Sequence, residues 1–307
     1  MTGLFSRRTF LTGTSSTAAL LALSGCSEPA PLQSGPREGD PVANSGPVAP
    51  ADLISRGSRM ERIRQRGQLV VGCTDDNPLW SERQPGTSEF RGFDASMARM
   101  LARYIIGEPQ VQHVAIPPEA RAGVLASGTV DVVLQTYTIT PERARKVFFA
   151  GPYLVSGQAL AVTAGDRQIK GLDDLTGRRV LVIHGTTAET MVNQRVPTAR
   201  LVSRATSGDC LRAMRLREAD AYIQDQAVLI GNIAREPLLK IVGSPFTSEP
   251  YGIGLPHGDA EFKGFVNSWL QQVQDRGLWA RLWREYLGLV IQTEPPIPPV
   301  IGSVAGS

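Results

Sequence analysis

Residues 126–158 read ASGTVDVVLQTYTITPERARKVFFAGPYLVSGQ, from Ala126 to Gln158, and their pattern changes twice. Val130–Leu134 is a short β-branched, apolar run behind Ser127-Gly128, the pattern of a buried strand. Thr140-Pro141 then reads as a helix start, with Thr at the N-cap and Pro at the first helical position. Outward from this unit the alternation repeats. On its N-terminal side lie a helix around Leu53–Arg66, a strand at Gln68–Gly72 and a helix opened by Phe93-Asp94. That helix carries Met97, Met100, Leu101 and Tyr104 on one face and stops at Gly107 and Pro109. Val111–Ile116 reads as a strand and Pro117–Ser127 as a helix. On the C-terminal side Arg179–Ile183 and Ala221–Ile223 read as strands; helices start at Thr187, Ser207 and Gln226. Strands alternating with helices specify α/β architecture with sheets covered on both faces. Ligands in such folds bind beyond the carboxyl ends of the strands.

The chain has 307 residues, enough for about two domains. Hydrophobic residues make up 42% and charged residues 20%, which excludes a wholly disordered chain and a polytopic membrane protein. The net charge is +3, of which Arg7 and Arg8 lie in a leader, so the body gives no electrostatic reason to expect nucleic acid. Three cysteines cannot build a disulfide scaffold and three scattered histidines do not make a zinc site; no cofactor or metal is expected.

Residues 1–25 read as an export signal: two arginines, then an uncharged run too polar and short to span a bilayer well. Ser6-Arg7-Arg8-Thr9-Phe10-Leu11 resembles the twin-arginine signal. Leu23-Ser24-Gly25-Cys26 resembles a bacterial lipobox, in which the Cys26 thiol would accept the lipid. Each buried CH₂ of an acyl chain contributes about 0.8 kcal/mol, so a multiply acylated cysteine anchors a protein outside the cytoplasmic membrane. Residues 26–54 are rich in Pro, Gly and Ser and read as a mobile tether; 291–307, with Pro295, Pro296, Pro298 and Pro299, read as a matching tail.

Six segments carry a resemblance: Arg91–Ala102, Ala126–Gln158, Leu172–Glu189, Asp209–Asp225, Pro250–Asp259 and Phe265–Gly288. In this order they resemble the amino-acid-binding family of ABC-transporter solute-binding proteins (family 3), and Phe149–Gln158 is most similar to its glutamate-binding actinobacterial members. The resemblance implies a two-lobed type II periplasmic-binding-protein fold that closes by a hinge over a free amino acid. Lobe one would be 55–156 plus 248–290 and lobe two 157–247, with crossings near Ser156-Gly157-Gln158 and Ser244–Glu249. The expected partners are ABC permease subunits, or a membrane sensor if the receptor signals instead of feeding a transporter. Dehydratases share the fold, but a zwitterion-binding pair argues against that alternative.

A free amino acid presents a carboxylate and an ammonium, and capture away from water needs an opposite charge for each. On the resemblance Arg143 is the carboxylate fork, where planar bidentate geometry favours Arg over Lys, and Asp225 is the ammonium partner. Asp225 also sits where a helix N-cap would. Thr136 and Thr138 would line the strand-to-helix edge, and Gly185-Thr186-Thr187 would offer amides at a helix N-terminus. Trp80, in the loop Cys73–Arg83, is read either as a lid over the aliphatic part of the ligand or as simple lobe packing. Gln224 is expected at the distal group; an amide side chain would be served by Gln135 and Gln224, leaving glutamate, glutamine, aspartate and asparagine open. A distal carboxylate needs another cation, for which Arg83, Arg91, His184 and Arg204 are candidates. Trp269, Trp279 and Trp283, with Leu270, Leu282 and Tyr286, have helical spacing and read as core. Cys73 and Cys210 are expected as free thiols.

Overall fold

The computed structural model describes residues 40–307; the leader, Cys26 and the tether as far as residue 39 lie outside the described residues. Helices α1 (Pro41–Asn44) and α2 (Arg59–Arg66) lead to β1 (Leu69–Cys73). A small antiparallel sheet of β2 (Asp76–Asn77), β3 (Ser81–Arg83) and β4 (Phe90–Arg91) precedes α3 (Phe93–Ile106). Then follow β5 (Val111–Ala115), α4 (Arg121–Ala126), β6 (Val132–Val133), α5 (Pro141–Ala144) and β7 (Phe148–Ser156). The second lobe runs β8 (Gln158–Thr163), β9 (Arg179–Ile183), α6 (Thr187–Arg195), β10 (Arg200–Arg204), α7 (Ser207–Arg215), β11 (Ala221–Asp225), α8 (Gln226–Arg235) and β12 (Leu239–Val242). The chain returns through β13 (Glu249–Leu255) and ends with α9 (Ala260–Asp275), α10 (Leu278–Tyr286) and α11 (Gly288–Ile291).

This is the two-lobed α/β fold. One sheet has the order β5-β1-β6-β13-β7 and the other β10-β9-β11-β8-β12. In each, three strands run parallel through crossover helices, a fourth (β7 or β12) runs in the same direction at the edge, and one (β13 or β8) is antiparallel to its neighbours. Alternation along β9 explains the second lobe's layers. Val180 and Val182 pack on one face with Met191 and Ile223, while Leu181 and Ile183 pack on the other with Cys210 and Tyr222. In the first lobe Trp269, Trp279, Trp283, Leu270 and Leu282 are buried, and the Trp279 indole donates to Tyr153 O at 2.7 Å. Cys73 and Cys210 are free, buried thiols.

The chain crosses between the sheets at Gly157 and again between β12 and β13. The two crossings are laced together: Phe246 N donates to Gln158 O at 2.9 Å, and Gln158 N to Thr247 Oγ1 at 2.9 Å. Glycine is required at 157 because a Cβ there would run into Thr247 O and lie 2.8 Å from Pro245 Cβ.

Two segments that read as mobile from composition are packed. Asp40 accepts from Ala43 N at 2.9 Å and Pro41 starts the helix, so α1 forms and buries Val42 and Ala43 against the first lobe's core. Ala49 N donates to Tyr104 O at 2.9 Å. The tail is fixed as well, with Gly302 N donating to Gly151 O at 2.8 Å and Ile301 against the core. Small apolar residues among the prolines suffice for docking, because Pro-rich backbone has little freedom left to lose.

Candidate functional site

A cavity of about 270 Å³ opens where the carboxyl ends of both sheets' parallel strands face each other. The first lobe supplies the residues after β1 and β6 and those around α4 and α5. The second supplies the starts of α6 and α7 and the end of β11.

Arg143 rides on a single helical turn whose cap is the one the sequence specifies: Thr140 Oγ1 accepts from Arg143 N at 3.2 Å. Its guanidinium donates to Thr138 O at 2.9 Å and, across the cleft, to Gly185 O at 3.2 Å. Arg121, at the start of α4, lies beside it. This side chain is 4% exposed, stacks over the Tyr137 ring at 4.1 Å and donates to Pro118 O at 2.7 Å and Gly185 O at 3.2 Å. Burial, then the neighbouring Arg143 charge, lowers its pKa to about 9, so it remains a cation at neutral pH. Arg143 over the same ring, at 5.2 Å, is also lowered, chiefly by burial.

Asp225 ends β11 and occupies the N-cap position of α8, yet its side chain does not cap the helix. The carboxylate instead accepts from Tyr251 Oη at 2.7 Å. Burial, followed by the negative charge of Glu249, pushes its pKa up to about 7. Glu249 is itself buried at the returning crossing, where Thr187 Oγ1 donates to it at 2.9 Å and Thr247 Oγ1 at 2.8 Å. Thr186 caps α6, accepting from Glu189 N at 3.4 Å. Thr136 has a left-handed backbone (φ +42°) and donates its N–H to Asp94 at 2.9 Å, so the turn after β6 is held from behind. Gln135 donates to Ile116 O at 2.7 Å and leaves its Oε1 buried without a partner.

Arg143, Asp225, Thr136, Thr138, Thr186, Thr187 and Gln224 therefore come together around one cavity. Trp80 does not line it. Its ring is fully buried between Phe93 and Tyr251, each at 5.7 Å, and its indole donates to Ala227 O of α8 at 3.0 Å. Of the two readings open to this residue, the geometry is that of packing between lobes. None of the four candidate distal cations reaches the cavity lining either. Arg83 is drawn to Asp75 and the Phe90 ring, Arg91 to Glu89, His184 to Glu189 and Arg204 to Glu218. Among the described residues, the cation that lines the cavity besides Arg143 is Arg121, which sequence reasoning missed. A Glu-Ala-Arg step at a helix start reads as solvated, and the burying partner, Gly185, lies 64 residues away.

The lobes also touch beside the cavity. Asp76 accepts from Gly208 N at 2.7 Å, capping α7 from the opposite lobe, and Glu82 pairs with Arg235. Chemically, the cleft offers two guanidinium groups to an anion and one buried carboxylate to a cation. Among the described residues no cluster of His, Cys, Asp and Glu could hold a metal ion, and no helix is long and apolar enough to cross a membrane.

Comparison with known proteins bears on this cleft. The family model "Bacterial extracellular solute-binding proteins, family 3" matches residues 69–289. The ABC transporter glutamine-binding protein GlnH of Bacillus subtilis is 27% identical over 80% of this chain and 90% of its own. The glutamate-binding protein GluB of Corynebacterium efficiens is 31% identical over 73% of this chain and 80% of its own. Among solved structures, an arginine-binding protein mutant from T. maritima superposes with a TM-score of 0.70 at 28% identity, over 75% of this chain and 99% of that one. The L-cysteine receptor of Neisseria gonorrhoeae shares the fold with a TM-score of 0.74 at 24% identity, over 78% and 98%.

Proposed function

The chain belongs to family 3 of the bacterial extracellular solute-binding proteins, and from that membership we propose that it captures L-glutamate between its lobes for delivery to an ABC importer. The observation that carries this reading is the placing of Arg121, Arg143 and Asp225, all buried or nearly so, around one cavity shared by the lobes. Arg143 takes the α-carboxylate, helped by the α6 N-terminus with Thr186 and Thr187. Asp225 takes the ammonium, with Thr136 and Thr138 along the same edge. Arg121 is left for the distal carboxylate, with Gln224 on the lining of the same cavity. Charge-assisted hydrogen bonds contribute about 1.5–3 kcal/mol each; four or five, less the cost of ordering, give micromolar or tighter binding. Glutamate bridging the two lobes favours the closed arrangement, because it contacts both walls only there.

The reading extends to the leader: Cys26 becomes acylated, and the body is held outside the cell membrane by that anchor, exported through the twin-arginine route. Relatives named for glutamine and glutamate binding support an amino-acid ligand. The second cation, Arg121, favours glutamate over its amide. Calorimetry with glutamate and glutamine, on the native protein and on Arg121→Gln, tests the choice. The expected result is tighter glutamate binding in the native protein and a loss of about tenfold or more for glutamate alone in the variant. Tighter glutamine binding by the native protein would assign the distal subsite to Gln135 and Gln224 instead.

A further inference from the structure

The family match ends at residue 289, so the packing of the chain beyond it needs its own account. Pro296, Ile297 and Pro299 line an apolar groove whose walls come from different lobes: Trp283 of α10 on one side, Ala227 and Ile230 of α8 on the other. The tail then runs along the first lobe. Gln274 Nε2 donates to Pro299 O at 3.2 Å, and Gly302 N donates to Gly151 O at 2.8 Å. Val304 packs on the cluster containing Ile139 and Val147. At Gly306 (φ +94°) the chain lies so near α5 that an added Cβ would sit 2.6 Å from Ala144 Cβ. Helix α5 has four residues, too few to hold itself in water, and it carries Arg143. Its flanking residues, Ile139 and Val147, belong to the cluster on which Val304 packs, and an added Cβ at Gly306 would lie 3.7 Å from Ile139 Cγ2.

We propose that residues 293–307 form an internal strap that positions the Arg143 helix and ties it to the gap between the lobes. One end of the strap lines a groove whose other walls come from both lobes, so its shape changes with rotation of one lobe against the other. Its other end bears on the turn that holds the guanidinium facing the cleft. The four prolines stiffen the end at the groove, and the stretch between the two ends is held on the first lobe by Ile301 against the core and by Gly302. The strap rests on the amino-acid reading for its affinity readout alone.

Hydrogen exchange tests it on three forms: the native chain, a chain stopped after Gln292, and Gly306→Ala, which undocks the end without removing the tail. The diagnostic amides are Ala144, bonded to Thr140 O at 2.9 Å, and Val147, bonded to Arg143 O at 3.0 Å. Both variants should lose about tenfold or more of protection there, with β1, α3 and β9 unchanged. Affinity for L-glutamate, measured by calorimetry, should fall about tenfold in parallel. A tail that merely covers the first lobe would instead lower protection across β1 and α3 alike, which would overturn the proposal. So would unchanged protection at 144 and 147, or a local loss with unaltered glutamate affinity. If the shortened chain fails to fold, Gly306→Ala decides. If glutamate binds none of the three forms, the glutamate reading fails and the strap stands or falls on protection.

Discussion

Capture of the ligand should release a proton from Asp225. This carboxyl is buried, hydrogen-bonded by Tyr251 and faced by the negative Glu249; burial first and Glu249 second push its pKa up to about 7. Arg143 and Arg121 pull in the opposite direction but do not restore the ordinary value. An ammonium placed beside the carboxylate favours its charged form and returns its pKa toward or below the usual range. Binding therefore needs the deprotonated group, so affinity is nearly complete by about pH 8 and is lost as pH falls through about 7. With a pKa of about 7 the group is about nine-tenths protonated at pH 6, and apparent affinity should be about tenfold weaker than at pH 8, close to 1.4 kcal/mol. Calorimetry in two buffers of different ionisation enthalpy reads the proton count directly: about 0.9 released per ligand at pH 6 and about 0.1 at pH 8. Asp225→Asn should abolish the release as well as weaken binding. Equal affinities at pH 6 and pH 8, with no proton released at the lower pH, would refute this reasoning.

Arg143→Lys keeps the charge but loses the fork, and titration should show a loss of about 2 kcal/mol or more in binding, about thirtyfold. Gly157→Ala drives a methyl group into Thr247 at the crossing strands; thermal unfolding should report about 1–3 kcal/mol of destabilisation, and an unchanged melting point would contradict the tight lacing described. Asp76→Ala removes the cap that one lobe places on α7 of the other, so stopped-flow dissociation should quicken several-fold with association little altered. Burial pushes the Cys73 thiol up to about 12 and raises Cys210 too, so both should resist thiol reagents in the folded protein and react fully in denaturant.

What the sequence disclosed follows from the range of the interactions involved. Local signals were legible: the Thr140-Pro141 cap, the glycine stop after α3, and the tryptophan spacing in α9 and α10. The first lobe's discontinuity was accessible through resemblance, since periodicity carries no information about which strand joins which sheet. Arg121 was hidden because nothing near it in the chain buries it; its neighbours are Tyr137 and Gly185. Glu249 was hidden because the partner that draws it to the cleft, Thr187, lies 62 residues away, although Thr247 is local. Composition misled at 40–54 and at the tail. Proline counts report backbone stiffness, whereas docking is decided by a few residues such as Val42, Ile301 and Val304 finding apolar surface.

The central claim is that the cleft between the lobes binds a free α-amino acid through Arg143 and Asp225. A thermal-shift screen of the purified protein against the twenty amino acids, repeated on Arg143→Ala and Asp225→Ala, tests it most directly. A ligand at a hundred times its dissociation constant stabilises by about 2.7 kcal/mol, a readily measured rise in melting temperature. The account predicts that rise with L-glutamate for the native protein and its loss in both variants. No shift with any of the twenty, or a shift that both variants retain, would contradict it.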